Sequence, residues 1–245
     1  MQEQHSPLEQ FQIKEILPIN LGGFDASFTN ASTFMVAIVV LVSIFVIGGM
    51  RNASAVPNRW QSMVEMVYEF ISNMLYESAG PEARKFFPFI FSLFMFILFA
   101  NLIGMIPYTF TVTSHIAVTF AFAIVVFLGV TITGFAKNGM GFLKLFMPSG
   151  TPLPLTILLI FIELISYLVR PMSLSVRLFA NMMAGHTLLK VLAGFIFSLG
   201  LALGWLPLIF ITALTGLEII IAILQAYVFA MLTCIYLNDA YHPGH

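Results

Sequence analysis

The chain has 245 residues and a formal net charge of −1; 60% of its residues are apolar, only 9% are charged, and mean hydropathy is +0.99. Soluble domains carry about 25% charged residues to solvate their surface, so a soluble enzyme, a nucleic-acid binder and a disordered chain are all excluded. From Phe86 through Ala136 no Asp, Glu, Lys or Arg occurs in 51 consecutive residues, enough for two membrane spans at roughly 20 residues each.

The first 31 residues are a polar lead-in without the apolar core of a secretory signal. A first span is expected over 33–50. The next segment carries four basic residues (Arg51, Arg59, Arg84, Lys85) and four acidic ones (Glu65, Glu69, Glu77, Glu82). Within it Trp60, Met63, Val64, Val67, Phe70, Ile71, Met74 and Leu75 recur at helical intervals. That pattern predicts an amphipathic helix over 57–77, lying along the membrane surface. Two further spans follow over 86–106 and 113–136, joined by a short uncharged loop. Then come Lys137, Lys144 and a Pro-rich break.

The last two apolar segments, 155–200 and 206–237, are too long for upright spans. At 1.5 Å per residue the first would reach roughly 68 Å, so it is either a steeply tilted helix or two shorter ones, with Pro171 as kink or break. The fold class expected is an all-α polytopic membrane protein: about five transmembrane helices plus one surface helix, in a single membrane domain. Basic residues follow the first and third spans, which places both loops on the cytoplasmic or matrix side by the positive-inside rule. The N-terminus then lies opposite, and five crossings return the C-terminus inside.

Chemistry-bearing motifs are few. The single Cys234 leaves no intrachain disulfide and no thiolate cluster. Five histidines show no metal-ligand spacing, and phosphate loops and nucleophile elbows are absent. No catalytic residue, metal or cofactor is expected. What stands out is charge at depth: Glu163, Arg170, Arg177, Lys190 and Glu218, with Asn181, His186 and Gln225, all inside the last two apolar segments. An ionisable group in lipid costs several kcal/mol, so each marks a functional position by default.

Glu163, Arg170 and Arg177 are spaced by seven and share a stripe if Pro171 only bends the helix. Asn181 lies one turn beyond Arg177, and His186 points roughly opposite to it. Glu218 and Gln225 are again seven apart on one face. Two long helices with polar stripes resemble an ion path between packed helices. Blander readings stay open: Arg170 and Lys190 could snorkel or pair with acids, Glu163 could form a structural salt bridge with Arg170 or Arg177, and His186 could be a packing donor. Arg177 resists such a reading, because a guanidinium stays charged at any working pH.

The segment SLSVRLFANMMAGHTLLK, Ser173 to Lys190, resembles the signature of subunit a of the F-type ATP synthase. So does LTGLEIIIAILQAYVFAMLTCIYLNDA, Leu214 to Ala240. SFTNAS, VPNRWQSMVEMVYEF, FFPFIFSLFMFILFANLIGMIPYTFTVTSHI and PLPL match the family in order. The resemblance spans nearly the whole chain.

It implies a stator subunit with two proton half-channels beside a rotating c-ring, coupling proton flow to rotation and ATP synthesis. Arg177 matches the arginine that faces the ring carboxylate and separates the half-channels. Asn181 and Gln225 match polar residues lining the path near it, Glu163 an acid of the cytoplasmic- or matrix-side half-channel, and His186 and Glu218 the pair of the opposite half-channel. The order His then Glu resembles the alphaproteobacterial and mitochondrial branch. Implied partners are the c-ring, subunit b or the peripheral stalk, other membrane-sector subunits and lipids, in a bacterial plasma membrane or a mitochondrial inner membrane. A secondary ion-coupled transporter is the rival reading, but such proteins usually show repeated halves, and none is evident here.

Overall fold

In the computed structural model the described residues are 15–17, 20–21, 24–25, 27–51, 53–106, 109–146 and 153–241. Most of the expected N-terminal lead-in and the Pro-rich break near 147–152 lie outside them. Short antiparallel pairs bring Glu15 opposite Thr29 and Asn20 opposite Asp25. Six helices follow among the described residues: α1 (Asn30–Met50), α2 (Arg59–Ala79), α3 (Phe87–Gly104), α4 (Ile116–Asn138), α5 (Leu153–Leu203) and α6 (Trp205–Tyr241). Among the described residues five stretches are long and apolar enough to cross a membrane; α2 is not one of them. The chain is an all-α polytopic membrane protein.

Helix α2 begins at Asn58, whose side chain accepts from the Arg59 N–H, and ends at Gly80. It buries Gln61, Val64, Ile71, Met74, Leu75 and Ala79. This face is narrower than the apolar stripe read from the sequence. Trp60, Met63 and Phe70 remain exposed, because the stripe is wider than the chain can cover and the remainder is left for acyl chains.

The α5 segment runs through Pro171 without interruption as far as Gly200. There φ is 63° and ψ −168°, a conformation open to glycine, and the chain kinks between two helical pieces. Pro171 lacks an N–H, yet one missing donor does not end a helix whose neighbouring turns stay packed. Along α6, Ala222, Ala226, Ala230 and Cys234 are all fully buried. Small side chains every fourth residue let a neighbouring backbone approach closely, which is how helices gain dispersion energy where lipid removes the hydrophobic drive.

The helices form two compact units. Of the described residues, one unit comprises those up to 48 and those within 95–116 and 178–226. Its core holds Ile38, Met95, Ile97, Val112, Leu178 and Met182, with Phe34 beside Phe110 and Phe45 beside Phe99. The other comprises the described residues within 49–94, 117–177 and 227–241. There Ile71, Ile90, Val126, Phe142, Leu174 and Phe229 are buried. A Cβ at Gly134 would overlap the Phe142 ring, so α4 needs glycine to seat that aromatic.

Candidate proton-path residues in each unit

In the first unit α3, α5, α6 and the loop after α3 converge on a set of polar side chains. Asn101 on α3 is fully buried. It donates to the Ala222 carbonyl at 3.2 Å and accepts from Thr113 Oγ1 at 2.9 Å. That loop also brings Thr111 Oγ1 to 3.3 Å from His186 Nε2. On its other side, His186 Nδ1 lies 3.5 Å from Glu218 Oε1. Asn181 Nδ2 donates to Gln225 Oε1 at 3.0 Å, so both pairs link α5 to α6.

Glu218 is only 5% exposed. Neither of its carboxylate oxygens accepts a hydrogen bond among the described residues, and Gln225 Nε2 is likewise buried without an acceptor. Gly185 makes room for this carboxylate: a Cβ there would lie 2.9 Å from Glu218 Cδ. The result is a buried acid beside an imidazole whose second nitrogen meets a hydroxyl. Those are groups that exchange protons over hydrogen-bond distances.

The second unit assembles a different cluster. Arg170 Nη1 donates to Asp239 Oδ2 at 2.8 Å, while Nη2 lies 3.9 Å from Glu163 Oε1. The guanidinium carbon sits 5.5 Å from the Tyr167 ring and 5.0 Å from the Tyr236 ring. Delocalised charge over aromatic faces tolerates desolvation better than an ammonium would. Tyr167 is anchored by its hydroxyl, 2.6 Å from Thr131 Oγ1. Arg170 therefore pairs first with Asp239, and Glu163 is its longer partner. Arg177 is exposed and forms no ion pair among the described residues.

Of the eight residues singled out from sequence, the structure brings His186 to Glu218 and Asn181 to Gln225 within the first unit, and Arg170 to Glu163 within the second. Glu163 and Arg177 belong to the second, without contact between them. Lys190 is exposed. Sequence reasoning missed Asn101, Thr111, Thr113, Gly185, Tyr167, Tyr236 and Asp239. Asp239 had a signal: it continues the seven-residue spacing Glu218, Gln225, Leu232, Asp239.

Between α3 and α4, His115 stacks on Phe110 at 4.8 Å and 18°. Burial lowers its imidazole pKa below the ordinary value.

Residues 31–238 match the family model described as ATP synthase A chain. A protein of Parvibaculum lavamentivorans named ATP synthase subunit a is 60% identical over 246 residues, covering 98% of this chain and 94% of its own. Its namesake in Pelagibacter ubique is 58% identical, covering 98% and 99%, and that of Paramagnetospirillum magneticum 54%, covering 97% and 98%. Full-length identity at this level does not favour a secondary transporter. The chain belongs to the ATP synthase subunit a family, the proton-translocating stator subunit of the membrane sector.

Proposed function

We propose that this chain supplies two proton half-channels beside a rotating c-ring, that Arg177 keeps them separate, and that the chain itself holds no catalytic site. A proton enters one half-channel, passes His186 and Glu218 with Asn181 and Gln225 as polar lining, and neutralises a carboxylate on the ring. A neutral acid costs far less in lipid than an anion, so that ring subunit can then rotate away. Its proton leaves by the second half-channel near Glu163. Arg177 stabilises the ionised ring carboxylate and repels a proton crossing directly. About 2.3 kcal/mol per charge per 100 mV is available to drive the cycle.

The observation that carries this reading is the buried Glu218 carboxylate, held 3.5 Å from His186 with its oxygens unspent. A purely structural salt bridge would be stable only with those lone pairs satisfied. Arg177 supports it from the other unit: a permanent charge, exposed on a membrane-spanning helix and unpaired within the described chain, calls for an anion from another subunit. The c-ring is that partner, with subunit b or the peripheral stalk and other membrane-sector subunits completing the assembly. The relatives named above are bacterial, which supports the bacterial plasma membrane over the mitochondrial inner membrane.

Glu218→Gln tests the reading, since glutamine keeps shape and polarity but cannot carry a proton. In the assembled complex in vesicles, proton-driven ATP synthesis should fall by more than about tenfold, with subunit composition unchanged. Near-normal synthesis would contradict it.

A further inference from the structure

Helix α2 stops at Gly80, whose φ of 73° is costly for any residue with a Cβ. The chain then makes a 3-10 turn over Pro81–Phe86 and enters α3 at Phe87. Against this corner lies a cavity of about 460 Å³, within the range that holds small ligands. Tyr68, Ser72, Asn73, Tyr76 and Arg84 contribute its polar wall and Phe87 part of its apolar one. The Tyr68 and Phe87 rings lie 4.5 Å apart and form a continuous aromatic surface.

The donors in this wall are unspent. Arg84 is the only charged residue lining the cavity, and no carboxylate does. It is exposed and forms no ion pair among the described residues. The Ser72 and Asn73 side chains make no hydrogen bond there either. A guanidinium fork with amide and hydroxyl donors matches a group that is anionic and rich in acceptor oxygens, and phosphate fits best.

Position narrows the source of that phosphate. The uncharged run of the sequence begins at Phe86, so the cavity sits where polar chain gives way to membrane-spanning helix. Outward-facing Trp60, Met63, Met66 and Phe70 on α2 are exposed apolar side chains, suited to acyl chains just below a headgroup layer. The segment also carries Arg51, Arg59, Arg84 and Lys85 alongside four acids; by the positive-inside rule, which counts the basic residues, it lies on the cytoplasmic or matrix side, where the leaflet holds anionic lipid.

We propose that this cavity is a binding site for an anionic phospholipid, with Arg84 holding the phosphate, Asn73 and Ser72 donating to headgroup or glycerol oxygens, and the Tyr68–Phe87 surface supporting the first acyl methylenes. A transmembrane helix of a neighbouring subunit is the competing occupant. It fits less well, because it would bury a guanidinium against apolar side chains without an acceptor.

The test uses the whole complex, placed in phosphatidylcholine nanodiscs doped with phosphatidylglycerol, with retained lipid read by native mass spectrometry. The intact complex should retain phosphatidylglycerol through delipidation. Arg84→Gln should lower retention about tenfold, Asn73→Leu should also lower it, and Arg84→Lys should restore part. Normal subunit composition in each variant keeps the comparison valid. Unchanged retention in both Arg84→Gln and Asn73→Leu would overturn the proposal, and so would equal retention of phosphatidylcholine. Displacement of the lipid by millimolar inorganic phosphate would assign the site to free phosphate. A photo-crosslinker at position 73 that captures another subunit instead of lipid would assign it to a protein partner.

Discussion

Gly185 on α5 lies against the Glu218 carboxylate of α6, so closely that a Cβ at position 185 would fall 2.9 Å from Glu218 Cδ. The buried acid therefore depends on a neighbour with no side chain. Gly185→Ala should push the carboxylate off its place beside His186, at a cost of about 1–3 kcal/mol for overpacking. We expect the variant to assemble while proton-driven ATP synthesis falls about fivefold or more. Undiminished synthesis would show that the carboxylate has room to move.

Arg170 reaches Asp239 at 2.8 Å and Glu163 only at 3.9 Å. Removing the nearer anion by Asp239→Asn should redirect the guanidinium onto Glu163 and tie up that acid. The pair itself contributes about 1 kcal/mol after allowance for its partial exposure, so assembly should survive. ATP synthesis should drop severalfold, and Asp239→Glu should recover most of it. Equal rates for Asn and Glu at this position would mean that charge there is immaterial.

Burial holds the His115 imidazole below its ordinary pKa, which is about 6.5. Its folded pKa is thus below the unfolded one, and the unfolded chain takes up the proton first as pH falls. The associated stability is fully present above the ordinary pKa and is lost as pH falls through the folded value. His115→Gln should flatten the acid side of the thermal-stability profile of the assembled complex, measured from about pH 8 to about pH 5. Parallel profiles for the two proteins would place His115 in contact with solvent.

The membrane spans were legible because an uncharged run of 51 residues and two over-long apolar segments admit few other structures. The acids and bases at depth were legible for the same reason: charge in an apolar run is conspicuous. Neutral participants were not. Asn101 and Thr111 meet Ala222 and His186 across 121 and 75 residues of sequence, and nothing local marks an Asn or Thr as a partner. Gly185 carries no signal in its own neighbourhood, since its role is set by a side chain on another helix. The apolar stripe of α2 was legible, but which part of it meets protein was not, because hydrophobicity alone does not distinguish contact with protein from contact with lipid. Asp239 was overlooked although its register with Glu218 and Gln225 was in plain view.

The most direct measurement concerns Arg177, exposed on α5 and without an ion pair among the described residues. If its fixed charge separates the half-channels and engages the ring carboxylate, no neutral residue can replace it, and lysine lacks both the planar fork and the guaranteed protonation. The measurement is proton-driven ATP synthesis, with passive proton permeability, by assembled complexes in sealed vesicles at a fixed proton-motive force. Arg177→Ala should abolish synthesis and raise passive proton conductance, and Arg177→Lys should be severely impaired. Near-normal synthesis by Arg177→Ala, with no added leak, would contradict the central claim.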